Sequence, residues 1–267
     1  MAKTITSDGV ELDYVSRGSG KPIIFIHGWP CSQRVWDAQL HALQDRYRCI
    51  ALDLRGMGHS EKADCAYTFQ QFAADVKHLI DTLNLEDVTL VGWSMGVSVS
   101  LEYMAHYQQE GAVSGLVLIN GPIKLINSED WEFGIERKEC MQYINGLVED
   151  PINGRRSFSE ANLLNPSEAE VDFLFNISMQ TPMDIAMKAV NNQIELDHRP
   201  VLQSLNIPCL AMQSDQDFYP VALGEYIAKT VEQGSLHVFE GCGHSVQIQN
   251  AERFNKALCD FIERDRN

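Results

Sequence analysis

The stretch LVGWSMGVS, Leu90 to Ser98, sets a serine between two glycines inside an apolar run. G-x-S-x-G is a short pattern, so its surroundings decide what Ser94 is. Directly before it, Val88 to Val91 reads as a strand, and after it Met95 to about Tyr107 reads as a helix. A sharp strand-to-helix turn holds the serine in a strained backbone conformation, with Gly92 and Gly96 small because side chains there would collide across the turn. The hydroxyl is thereby lifted out at the carboxyl end of the sheet, where open α/β sheets bind ligands. The dipole of the following helix and the N–H of Met95 lie beside it.

Working outward, short apolar runs bounded by Gly, Pro or Asp recur at Ile23 to Ile26, Cys49 to Leu52, Leu116 to Ile119, Cys209 to Met212 and Leu236 to Phe239. Strands buried on both faces of a parallel sheet have this composition. Between them Phe69, Phe72, Ala73, Val76, Leu79, Ile80 and Leu83 recur at helical spacing, as do Phe254, Leu258, Phe261 and Ile262. The alternation predicts an α/β chain with a doubly wound, mostly parallel eight-stranded sheet, Thr4 to Arg17 supplying two strands as a hairpin at one edge. From Pro122 to Asn206 no strand pattern occurs, and EFGIERKECMQYINGLV (132–148) and PSEAEVDFLFNISMQ (166–180) read as helices. The expected organisation is a core of residues 1–121 and 207–267 with a helical lid at 122–206.

The chain has 267 residues, 45% hydrophobic and 22% charged, enough to bury a substantial core. Its formal charge of −16 disfavours nucleic acid and anionic membrane as partners. No run approaches the length of a membrane span and the first residues lack an apolar signal core, so a cytoplasmic location is expected. Seven cysteines without C-x-x-C pairs suit reduced thiols and form no zinc pattern. No metal or cofactor is called for, and nothing sets an oligomeric state.

A serine hydroxyl needs a base. His244 follows the Leu236 to Phe239 run in the loop EGCGHSVQIQN, where flanking glycines allow close approach. His41, His78 and His106 fall within helical patterns, His237 within a strand, His59 in a glycine-rich turn, and His198 at the close of the lid. The loop QSDQDFYP offers two carboxylates, Asp215 and Asp217, either of which can orient the histidine. Charge on an attacked carbonyl needs donors: HGWP places the N–H of Trp29 beside that of Met95. His27 reads as a brace of that loop with a minor claim to the pocket, and Trp93 with Trp29 as indoles of the substrate pocket or the core.

HGWP (27–30), DLRGMGHS (53–60), GWSMG (92–96), SDQDFYP (214–220) and GCGHS (241–245) together resemble the α/β-hydrolase superfamily, nearest to the bacterial esterases that include the cofactor-free haloperoxidases. The resemblance implies a catalytic Ser94, Asp217 and His244, with Asp217 taking the fourth position of a turn that carries glycine where this chain has Ser214. Val97 also departs from a glycine common in relatives. Relatives with an aspartate nucleophile are set aside by Ser94, and those with the acid after the preceding strand by Asn120. The implied activity is hydrolysis of a small ester or lactone through an acyl-enzyme. Carbon–carbon bond hydrolysis and perhydrolysis use the same residues. Two readings of other kinds stand beside it: a small-molecule receptor with little turnover, and a hydrolase for carrier-linked esters that docks through Arg137, Lys138, Arg155 and Arg156.

Overall fold

The computed structural model describes residues 2–264; the outermost residues of the two expected core ranges lie outside them. Eight strands form one sheet: β1 (Ala2–Ile5), β2 (Glu11–Arg17), β3 (Pro22–Ile26), β4 (Arg48–Leu52), β5 (Val88–Trp93), β6 (Val113–Ile119), β7 (Cys209–Ser214) and β8 (Gly234–Phe239). Their order is β1-β2-β4-β3-β5-β6-β7-β8. β2 pairs antiparallel with β1 and β4, and every other pairing is parallel, so the expected edge hairpin and parallel core are both present.

Strand alternation divides the core into two layers. On one face Ile24, Ile26, Leu90, Leu116 and Leu118 pack with residues of α2 (Phe69–Thr82) and α3 (Met95–Tyr107). On the other, Ile23, Phe25, Val91, Trp93, Val117 and Ile119 pack beneath α1 (Asp37–Leu43) and α11 (Ala251–Arg264). A period of two in side-chain direction is what separates these sets.

Between β6 and β7 runs a helical insertion of α4 (Arg137–Glu149), α5 (Pro151–Ala161), α6 (Glu168–Ser178), α7 (Met183–Gln193) and α8 (Arg199–Ser204). After β7 come α9 (Val221–Thr230) and α10 (Val246–Gln249). Local chemistry starts these helices where it should: Ser167 and Glu170 form a reciprocal capping box on α6, and Pro151 opens α5 with Asp150 capping Asn153. The first expected helical stretch begins five residues late, because Ile135 instead bridges Ile126. At the base of the insertion Lys124 bridges Asp197 and the His198 N–H donates to the Ile123 carbonyl at 2.9 Å. His198 Nε2 also donates to Glu102 on α3 at 2.9 Å, a buried contact that depresses the Glu102 carboxyl below its usual range. His198 therefore closes the insertion by tying it to the helix that follows Ser94.

Candidate active site

Ser94 stands between β5 and α3 at φ 55°, ψ −118°. Every other non-glycine with positive φ among the described residues is Asn or Asp, whose short polar side chains tolerate that region. Two neighbours explain how the serine is kept there. A Cβ on Gly92 would lie 2.3 Å from the Gly96 carbonyl oxygen, and one on Gly96 would lie 2.4 Å from that of Ile26. The turn is closed by Ser94 N–H to Ile119 O and Val97 N–H to Ser94 O, both at 2.9 Å. Met95 is the first residue of α3, so no carbonyl of its own helix receives its N–H.

His244, after β8, meets Asp217, after β7: Nδ1 lies 3.1 and 3.0 Å from the two carboxylate oxygens, with both side chains buried. Asp215 instead ties its loop to the backbone of the loop after β8, accepting from Gly241 N–H at 2.8 Å and Cys242 N–H at 3.4 Å. The choice between the two carboxylates is thus decided by which side chain turns inward. With Nδ1 engaged by a carboxylate, Nε2 is the basic nitrogen; it is buried and has no hydrogen-bond partner among the described residues, Ser94 Oγ included. Phe218 covers the imidazole face with ring centres 4.3 Å apart.

The backbone of His244 is held from two other strand ends. Its carbonyl accepts from Trp93 Nε1 at 3.0 Å and from Asn120 Nδ2 at 2.9 Å. Asn120 also donates to Ser214 Oγ at 3.0 Å and accepts from the Ser214 N–H at 2.8 Å. Ser214, the departure from the family's glycine, is a working partner in this cross-link. In the sequence Asn120 stands only where a carboxylate is lacking; the signal for its role is an Asn at a strand end, where positive φ is common, and here φ is 42°.

Ser94, Met95 and Trp29 open on a cavity of about 270 Å³. Phe218 and Tyr219 line it from the core, and Cys140, Tyr143, Ile144, Phe158 and Val190 from the insertion. No lining residue is Asp, Glu, Lys, Arg or His; Asn162 and Gln193 add the amide groups. Tyr219 is buried, and that burial holds its phenol above the usual tyrosine range; Tyr143 lines the cavity with one edge and is exposed on the other.

Trp93 and His27 stand outside the pocket, in the core and brace positions also open to them. Trp93 does not line the cavity: alternation along β5 sends it to the face under α1 and α11, wholly buried. His27 is also absent from the lining. Leu54 N–H donates to its Nε2 at 3.1 Å, so its proton sits on Nδ1, 2.9 Å from Gly28 O; burial lowers its pKa, and it acts as the brace of the HGWP loop. Arg155, expected at the surface of the lid, is buried at 2% exposure. Arg137 and Arg156 are exposed or half-buried but paired, with Glu195 and Asp172. Among the described residues, no group of three or more His, Cys, Asp and Glu is placed to hold a metal ion, and no helix is long and apolar enough to cross a membrane.

Residues 21–251 match the family described as the α/β hydrolase fold. The non-heme chloroperoxidase CPO-A1 of Kitasatospora aureofaciens is 30% identical over 97% of this chain and 98% of its own length. The non-heme haloperoxidase of Rhodococcus erythropolis is 30% identical over 96% and 97%. The solved esterase EaEST of Exiguobacterium antarcticum superposes with a TM-score of 0.93 at 25% identity, covering 98% of each chain. The chain belongs to the α/β hydrolase fold family. Within it, the chain is an enzyme of the esterase and haloperoxidase-like branch.

Proposed function

We propose that this protein is a serine esterase for small, uncharged carboxylic esters or lactones, with residues 122–206 covering its site as a lid. One observation carries the reading: a serine strained into positive φ shares a cavity wall with the aromatic cover of an imidazole whose Nδ1 is committed to a buried carboxylate. His244 Nε2 takes the proton of Ser94 Oγ as it attacks the acyl carbon, and Asp217 stabilises the imidazolium. The Oγ–Nε2 bond is long in many resting hydrolases and tightens with substrate. The N–H groups of Trp29 and Met95 receive the developing oxyanion, each worth about 3 kcal/mol of barrier. Collapse expels the alcohol with the proton from His244; water, deprotonated by the same nitrogen, then attacks the acyl-serine and releases the acid.

The cavity lining supports an uncharged substrate, since a carboxylate there meets no cation and loses its hydration. Hydrolysis of p-nitrophenyl butyrate by wild type and Ser94→Ala tests the reading. Wild-type turnover is expected, and a wild type no faster than Ser94→Ala overturns it in favour of a receptor. The haloperoxidase relatives favour one second reading, in which hydrogen peroxide replaces water at the acyl-serine and leaves as a peracid that oxidises halide. Halide oxidation dependent on acetate, peroxide and Ser94 checks it. Docking of a carrier protein is not favoured, because Arg155 is buried and Arg137 and Arg156 are paired.

A further inference from the structure

Arg155, on α5, is a buried cation that the proposed chemistry does not use. It forms no ion pair with a carboxylate among the described residues; its guanidinium donates to two carbonyls, Ser178 at 2.8 Å and Thr181 at 3.0 Å. It also stands 5.8 Å from the centre of the Trp29 ring. Burying a charge without a countercharge costs several kcal/mol, of which carbonyl hydrogen bonds and an indole face return only part. Burial pulls the guanidinium down to about 10, which still leaves it protonated at neutral pH. Such a cost needs a structural consequence.

The consequence lies in what the two carbonyls belong to. Thr181 Oγ1 donates to the Pro30 carbonyl at 2.9 Å, and Trp29 Nε1 donates to the Ala186 carbonyl at 2.7 Å. Phe158, one turn after Arg155, packs edge-on against the same indole with ring centres 5.4 Å apart. The HGWP loop is thus gripped at Trp29 and Pro30 by residues 181–186, and the start of that segment is fixed by Arg155. We propose that Arg155 is a positioning residue for the Trp29 amide: it fixes residues 178–181 so that the insertion holds the HGWP loop in place. The proposal rests on the reading of Trp29 as an oxyanion donor. It makes the insertion part of the catalytic framework, since the insertion cannot lift from the core without releasing Trp29 and Pro30.

The test uses the full chain with Arg155→Met, Arg155→Lys and Thr181→Val. Misplacing a donor by a fraction of an ångström is expected to lower kcat for p-nitrophenyl butyrate about tenfold or more in Arg155→Met, with KM within about threefold. Arg155→Lys should recover part of the loss. Thr181→Val, which leaves the guanidinium intact, should show a smaller loss that does not add to that of Arg155→Met. A folded Arg155→Met or Thr181→Val with kcat within about twofold of wild type overturns the proposal, and Thr181→Val carries this arm if Arg155→Met fails to fold. Hydrogen exchange of the Trp29 indole N–H, assigned with Trp29→Phe, reads the link without turnover. Faster exchange in Arg155→Met and Thr181→Val is expected, and unchanged exchange overturns the link even if the esterase reading itself fails for want of any ester hydrolysis.

Discussion

Strand β5 and helix α4 both lead to the cavity, yet the chain places them by different means. β5 is buried at all six positions and hydrogen-bonded on both sides, to β3 and β6, so each residue's position follows from the ladder. α4 buries only Cys140, Ile144 and Leu147, while Met141, Tyr143 and Val148 on the same helix are exposed. Its position depends on what it leans against. The two buried arginines among the described residues repeat the contrast. In the core, Arg55 is matched by Asp75 at 2.6 Å and Asp8 at 2.8 Å, the latter carboxyl held at about 2 by the contact. In the insertion, Arg155 meets two carbonyls, the Met183 thioether and an indole, and no carboxylate among the described residues. The core gives its buried cation two carboxylates; the insertion gives its own backbone carbonyls and leans it on the indole of a core loop.

The contrast can be broken at the core side first, where the largest effect is expected. Asp217→Asn should lower kcat by about 10⁴-fold, because the imidazole loses its orienting acceptor, whereas Asp215→Asn should keep kcat within about threefold and lower Tm by a few degrees. Equal losses would mean that the two carboxylates do not divide their work as the hydrogen bonds indicate. Next in size is the insertion's contribution to selectivity. An ester with a carboxylate at the end of its acyl chain should show kcat/KM about 100-fold below its uncharged isostere, since the wall supplied by α4, α5 and α7 offers no cation. Comparable rates for the pair would remove the uncharged-substrate reading.

A smaller effect is expected where strand ends meet. Asn120→Ala removes one of two donors to the His244 carbonyl and should cost about tenfold in kcat, with Trp93→Phe costing no more. Full activity in both would show that the loop needs neither. The smallest effect sits at the base of the insertion. The contact with His198 depresses Glu102, so its contribution to stability is fully present above the ordinary value of 4.5 and is lost as pH falls through the depressed value. Wild type should therefore melt above Glu102→Gln at neutral pH, and that margin should close in acid while kcat at neutral pH stays the same; a margin independent of pH would assign it to packing.

Ser94, the proposed nucleophile, is legible because strand, glycine, serine, glycine and helix are consecutive in the chain. The histidine was legible for a related reason, a glycine-flanked loop following a buried run. Asp217 required a family resemblance, since two aspartates two residues apart look alike until the backbone turns one of them inward. Arg155, read as a surface cation, lies within a polar, charged helix pattern that gives no sign of its burial. For Trp93 the sequence leaves pocket and core equally open, and the alternation of side chains along β5 decides for the core.

The sequence by itself determined the order of elements, the doubly wound class and the strained serine, because short-range periodicity and turn sterics are written in adjacent residues. The tertiary structure decided which carboxylate meets the imidazole, that Asn120 and Trp93 hold its loop, and that the insertion grips Trp29. Those contacts join residues from 27 to 157 positions apart, and only the packed sheet and helices bring such residues within hydrogen-bond distance.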